Sequence, residues 1–204
     1  KEQVPLVSIV IPCYNYGQYL NDAIYSAVNQ TYRNIEVVIV NDGSTDNSEE
    51  VALQWANQKE NVRYIYQNNQ GVCAARNNGI NSSSGEWIIC LDADDILSPT
   101  YVSKCLDKID YYDIIGTGQR EFGEMNNEYD MPEEPTFAML CEGNAMNCAS
   151  MFSRDAYNAV GGWKEVLQSD NTGYEDWFMW IRMLRAGFKA YNIQEYLFLY
   201  RKHG

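Results

Sequence analysis

The sequence predicts an α/β chain built on a mostly parallel sheet with helices on both faces. Two observations predict it. Near-continuous apolar runs alternate with helical periodicity through the first 116 residues, and polar turns recur where those runs end. Val7-Ser8-Ile9-Val10-Ile11 is a β-branched run stopped by Pro12. From Gly17 to about Gln30, residues Leu20, Ala23, Ile24, Ala27 and Val28 fall at helical spacing. Ile35 to Val40 is a second buried strand. It is followed by the turn Asn41-Asp42-Gly43-Ser44 and a helix, capped by Asp46 or Asn47, that reaches about Gln58. Val62 to Tyr66 reads as a third strand, and Gln70 to Asn81 as a helix that Ser82-Ser83-Ser84-Gly85 ends. Trp87 to Leu91 is the fourth strand. Ser98-Pro99 opens a helix to about Ile109 with Pro99 in its first position, and Tyr112 to Gly116 is a fifth strand.

The pattern changes near residue 117. Residues 118–140 are polar and predict no firm element. Asn147 to Ser153 reads as a strand, Arg154 to Val160 as a short helix, Gly161-Gly162-Trp163 as a turn and Lys164 to Gly173 as a mobile loop. Tyr174 to Ala186 is an amphipathic helix with Trp177, Phe178, Ile181 and Leu184 on one side, and Phe188–Ile193 and Tyr196–Tyr200 follow as strands. The change marks two halves of one domain, 1–116 and 117–204, rather than two independent units.

Composition narrows the function. The chain carries 15 Lys and Arg against 28 Asp and Glu, a net charge of -13, with no basic stripe, which argues against a nucleic-acid partner. Cys13, Cys73, Cys90, Cys105, Cys141 and Cys148 form no C-x-x-C pair and read as thiols of a reducing compartment, hence a cytoplasmic setting. No apolar run approaches the length of a membrane span. The chain starts at Lys1 and stops just after a strand-like segment, so a truncated catalytic piece is expected, with any membrane-associating segment outside it.

The densest chemistry is Asp92-Ala93-Asp94-Asp95, directly after the fourth apolar run. Several carboxylates at one strand end repel each other and are costly to desolvate, an arrangement that suits a bound cation. Parallel sheets bind ligands at the carboxyl ends of their strands, so Asp42, Asp92 and Asp94 are expected to converge there. Such a cluster, and the Asp42 turn, are each compatible with ordinary solvated turns when read alone.

Five segments together resemble the family 2 glycosyltransferases, inverting enzymes with the GT-A fold. They are Val7-Ser8-Ile9-Val10-Ile11-Pro12-Cys13-Tyr14-Asn15, Val40-Asn41-Asp42-Gly43-Ser44-Thr45-Asp46, Gly71-Val72-Cys73-Ala74-Ala75-Arg76-Asn77-Asn78-Gly79, Asp92-Ala93-Asp94-Asp95 and Tyr174-Glu175-Asp176-Trp177. The resemblance implies that residues 1–116 bind a nucleotide diphosphate sugar. Pro12, Tyr14, Asn15 and Asp42 would lie around the base, Asp92 at the ribose with Ala93 beside it, and Asp94 on Mn2+ or Mg2+. His203, in the segment Tyr200-Arg201-Lys202-His203, would complete the metal shell, with the neighbouring basic residues toward the diphosphate. Arg76 would hold the diphosphate or orient Asp42 or Asp92; an ordinary ion pair to one of those aspartates is the plainer alternative.

Residues 117–204 would then bind the acceptor and supply Asp176 as general base, with Glu175 its neighbouring rival. The helix N-terminus is expected to keep Asp176 ionised at pH 7, an available but weak base. Gly143-Asn144 to Ser150 and Gly161-Gly162-Trp163 would form the acceptor side, with the 164–173 loop closing over the donor. The implied activity is sugar transfer, UDP-sugars favoured, to a hydroxyl of a glycan or lipid-linked acceptor in polysaccharide assembly. A sugar-nucleotide pyrophosphorylase and a non-catalytic nucleotide-sugar-binding module are the alternatives; the first would carry a Gly-rich basic loop where Pro12-Cys13-Tyr14-Asn15-Tyr16-Gly17 stands.

Overall fold

The computed structural model describes residues 4–166 and 174–203. Strands β1 (Val7–Cys13), β2 (Ile35–Asp42), β3 (Val62–Gln67) and β4 (Trp87–Cys90) pair in parallel in the order β3-β2-β1-β4. Helices α1 (Gly17–Val28), α2 (Ser48–Gln58) and α3 (Val72–Asn81) connect them. The apolar runs read as continuous because both faces are covered. Ile9, Ile11, Val37 and Ile39 pack with Leu20 and Ile24 of α1, whereas Val10, Val38 and Val40 face Ile80 of α3.

Pro12 does not stop the first strand; it pairs with Val40 inside β1. The carbonyl of Val10 accepts the Leu91 N–H, so Val10 and, by alternation, Pro12 point toward β4. The β1–β4 ladder ends at Val10 and Cys90, so a residue without an N–H breaks no ladder bond at Pro12.

The sheet continues through antiparallel β8 (Met151–Ser153) to β6 (Ile114–Gly123), which lies parallel to β9 (Ala190–Lys202). The short strand β5 (Ile96–Leu97) closes that edge against β9, and β7 (Glu128–Tyr129) pairs with β6. Helices α4 (Tyr101–Leu106), α5 (Phe137–Glu142), α6 (Arg154–Val160) and α7 (Glu175–Arg185) complete the described elements. The whole is a mixed α/β fold on a nine-stranded, mostly parallel sheet.

Several expectations for the second half are corrected. The stretch 118–140 contains the end of β6, all of β7 and the start of α5. Its polar residues gave no local pattern because β6 is held by long-range pairing with β9. The chain beyond β7 is tied to β9 by side chains: Tyr196 Oη donates to Asp130 and Tyr191 Oη to Glu133, each at 2.6 Å. Residue 117 itself lies within β6. The two strands expected after Phe188 are one, β9, with register shifts against β6 around Gly118.

Ser98-Pro99 precedes α4 without entering it, because Ile96–Leu97 is captured by β9. Only Met151–Ser153 of the expected 147–153 strand pairs, since Asn147 to Ser150 forms a turn closed by Ser150 N–H to Asn147 O at 3.2 Å. The buried face of α7 is Met179, Trp180 and Met183. Phe178 is exposed, with the Arg182 guanidinium 5.0 Å above its ring. Of the loop expected over Lys164–Gly173, residues 167–173 lie outside the described residues.

Candidate active site

A cavity of about 520 Å³ opens at the carboxyl ends of β1, β2 and β4. Pro12, Tyr14, Asp42, Arg76, Asp92, Ala93 and Asp94 all contribute to its wall, so the three expected carboxylates do converge.

Asp42 ends β2 almost fully buried. Its Oδ1 accepts from Gln67 Nε2 at 2.7 Å and from the Gln70 N–H at 2.8 Å; its Oδ2 accepts the Gly71 N–H at 2.9 Å. Three of roughly four lone-pair positions are thereby filled, which fixes the carboxylate and leaves about one acceptor direction. Gly71 is in the left-handed region with φ of 91°, and a side chain there would meet the Glu165 carboxylate at 2.6 Å. Glycine is what lets the backbone turn its N–H onto Asp42 just before α3.

Arg76 of α3 is 1% exposed, yet joins three parts of the chain. Its Nη2 donates to Asp92 Oδ1 at 2.8 Å and its Nη1 to Glu175 Oε1 at 2.9 Å, while the guanidinium lies 4.6 Å over the Trp163 ring. Asp92 and Glu175 hold its already high pKa higher still against the opposing effect of burial. Of the two expected aspartate partners, it takes Asp92 and not Asp42.

The acidic turn is pinned from the far end of the chain. The Asp95 N–H donates to the Asp92 carbonyl, Asp95 Oδ1 accepts the Arg201 N–H at 2.8 Å, and Arg201 Nε donates to the Asp94 carbonyl at 2.8 Å. Arg201 lies between the rings of Tyr19 and Phe122 and reaches Asp22, so its guanidinium is committed to this clamp and not to the cavity. Lys202 reaches Glu121 at 3.5 Å.

Asp94 Oδ2 and His203 Nε2 stand 2.9 Å apart, and the imidazole stacks on Tyr19 with ring centroids 4.8 Å apart. The two side chains are hydrogen-bonded to each other, which brings a carboxylate oxygen and an imidazole nitrogen together. Carboxylate oxygen with imidazole nitrogen is a donor set that Mn2+ accepts.

Asp176 lies in the first turn of α7. Its Oδ1 accepts the Trp177 N–H at 2.6 Å and its Oδ2 accepts Asn144 Nδ2 at 3.1 Å. Burial pushes its pKa up to about 6, against the lowering effect of the Trp177 N–H and of Arg76. This reverses the direction expected from the helix N-terminus: the cost of burying the charge exceeds what the terminus returns. At pH 7 the group is still mostly ionised, but it is a stronger base than a solvated aspartate.

Asn15, Asp176 and His203 do not belong to the cavity wall. Asn15, at φ of 57°, accepts the Thr45 N–H on its Oδ1 at 2.7 Å and donates its own N–H to Ser44 Oγ, clasping two loops. His203 stands behind Asp94, and Glu175, not Asp176, contributes to the wall. Sequence reasoning missed Gln67, which helps fix Asp42, and named Gly71 and Trp163 without their roles, the one donating its N–H to Asp42 and the other lying beneath Arg76. Gly71, directly before a helix and after a polar run, was the one available signal.

Residues 8–172 match the family described as Glycosyl transferase family 2. The chain is 33% identical over 203 residues to a chondroitin synthase of Escherichia coli, covering 94% of this chain and 28% of that protein. It spans between 15% and 32% of the length of four curated relatives. S. aureus TarS 1–349 in complex with UDP-GlcNAc superposes with a TM-score of 0.82 at 17% identity, covering 97% of this chain and 59% of that one. The mannosyltransferase PcManGT of Pyrobaculum calidifontis, in complex with GDP-Man and Mn2+, gives 0.74 at 16% identity, covering 97% and 57%. The fold is therefore that of the GT-A glycosyltransferases, and with more than half its length matched the chain belongs to glycosyl transferase family 2.

Proposed function

We propose that this chain carries the transfer centre of a metal-dependent, inverting glycosyltransferase. It would move a hexose-type sugar from a nucleotide diphosphate donor, UDP-linked by preference, to a hydroxyl of a glycan or lipid-linked acceptor. The observation that carries the reading is the meeting of Asp42, Asp92 and Asp94 in one cavity, with Glu175 of the Asp176 helix in the same wall. The complexes of TarS with UDP-GlcNAc and of PcManGT with GDP-Man and Mn2+ support the donor class. The similarity to a chondroitin synthase supports a polysaccharide-building role, and six free thiols support a cytoplasmic one, with membrane association left to segments outside this chain.

In this reading the remaining acceptor direction of Asp42 takes an N–H of the base, with Tyr14 and Pro12 at its side. Asp92, held by Arg76, accepts from the ribose next to Ala93, and Asn15 keeps the base-side loops in place. Asp94 and His203 hold the divalent ion; when bound, it supplies positive charge that stabilises the departing diphosphate. Asp176 takes the proton from the acceptor hydroxyl as that oxygen attacks the anomeric carbon from the face opposite the nucleotide, so no covalent intermediate is required.

Thermal melts with UDP-GlcNAc and GDP-mannose, with and without Mn2+, test the proposal. A donor at about 100 times its Kd adds about 2.7 kcal/mol, or roughly 5–10 °C for a chain of this size. No shift with any nucleotide sugar in the presence of metal would remove the reading.

A further inference from the structure

We propose that Asp92, Asp95 and Cys148 form a binding site for a thiophilic divalent cation such as Zn2+, separate from the Asp94–His203 pair. A carboxylate oxygen of each aspartate and the Cys148 Sγ lie within 4.8 Å of one another. Asp95 is fully buried; Oδ1 accepts the Arg201 N–H, but Oδ2 has no hydrogen-bond partner. An unpartnered buried carboxylate oxygen is costly and calls for a proton or an ion beside it. A thiol in the same group selects between those, because a thiolate is a poor ligand for Mg2+ or Ca2+ and a good one for Zn2+.

The geometry permits it. Zn2+ holds oxygen at about 2.0–2.2 Å and sulfur at about 2.3 Å, so tetrahedral ligands stand roughly 3.5 Å apart. With the atoms within 4.8 Å, the groups would need to draw in by at most roughly 1.3 Å on binding. Asp92 lines the cavity with its side chain 31% exposed, which gives the ion an entry path and a solvent molecule as fourth ligand. Two carboxylates and a thiolate would face the ion, and Arg76, which Asp92 shares with Glu175, offsets part of the remaining negative charge. Asp94 is not a member of the group; its carboxylate is engaged by His203. Because Asp92 serves both this site and the cavity, an ion here would exclude a ligand that uses Asp92. That consequence rests on the proposed donor reading, whereas the binding itself does not.

Cd2+ titration of the whole chain in saturating Mg2+ tests the site through the ultraviolet thiolate-to-metal band, with no activity required. The band should appear in the parent and in Cys141→Ser, whose thiol is exposed, and vanish in Cys148→Ser. Asp95→Asn should weaken the Cd2+ affinity by at least about tenfold. A band that survives Cys148→Ser, or unchanged affinity in Asp95→Asn, overturns the proposal. Should Cys148→Ser fail to fold, alkylation of the unmutated protein decides: Zn2+, but not Mg2+, should slow modification of Cys148 by at least about tenfold. Equal rates with and without Zn2+ overturn it.

Discussion

Asp176→Asn should make the protein more stable at neutral pH while abolishing transfer. Burial raises this carboxyl from 3.8 to about 6. A group whose pKa is raised on folding contributes stability at low pH and loses it as pH climbs through the folded value. Two units at about 1.36 kcal/mol each set an upper bound of about 3 kcal/mol, fully developed above pH 7. Asp176 is partly exposed and its contact with Asn144 lies at the surface, so about 1–2 kcal/mol is the measurable part. Asparagine keeps an oxygen for the Trp177 N–H and carries no charge to desolvate, while the exposed Asn144 Nδ2, which donates to Oδ2 in the parent, turns to water in the variant. Urea unfolding of parent and variant at pH 5 and pH 7.5 reads the effect. The variant's advantage should grow across that interval, gaining about half its final size, and reach about 1–2 kcal/mol at pH 7.5, or roughly 2–8 °C in Tm in a parallel thermal melt. The parent's kcat/KM should fall on the acid side with an apparent pKa near 6, from deprotonated Asp176 being required. A stability difference independent of pH would refute burial as the cause, and unchanged turnover in the variant would remove Asp176 as the base.

Three further outcomes follow from the same geometry. Arg76→Met leaves Asp92 and Glu175 facing each other without a cation; denaturant unfolding should show a loss of about 3 kcal/mol, and Arg76→Lys should restore less than half, since an ammonium cannot fork to both carboxylates. Gly79→Ala places a methyl 2.4 Å from Val10 Cγ1 and 3.0 Å from Val40 Cγ2 between α3 and the sheet, so about 1–3 kcal/mol should be lost in the same assay. Asp94→Ala should erase the Mn2+-dependent part of any nucleotide-sugar stabilisation in thermal melts, while a metal increment that persists would place the ion elsewhere.

The first half was legible because its information is local. In β1, Ile9 and Ile11 serve one face and Val10 the other, so the whole run is apolar. Asp92 could be located because it directly follows such a run, and Asp42 because it stands one residue beyond one. The second half hides its order in long-range pairing. Gln119, Arg120 and Glu121 carry no strand pattern, yet each pairs with a β9 residue 79 positions later. The site was legible as a set of residue types and illegible in its connections. Nothing local ties Arg76 to Glu175 across 99 positions, or Arg201 to the acidic turn across more than a hundred. The direction of the Asp176 shift was missed for the same reason: the helix terminus is visible in sequence, whereas the burial that opposes it is made by tertiary packing.

The aspartates around the cavity differ only in the balance between donors and burial, and that balance assigns them. Asp42 is buried but accepts three N–H donors, and Asp92 shares a guanidinium. Asp94 faces an imidazole in an arrangement suited to a cation. Each is organised around positive or donor partners, so none is free to take a proton from an acceptor hydroxyl. Asp95 has one N–H donor for a fully buried carboxyl, and burial with its neighbours Asp92 and Asp94 holds it well above the usual carboxylate range, where no substrate hydroxyl reaches it. Asp176 lies between these extremes. Burial outweighs its two donors and brings its pKa up to about 6, and the residue stays partly exposed. A base working at neutral pH needs both properties at once, and in the proposed transfer that is why the proton goes to Asp176 rather than to the acidic turn.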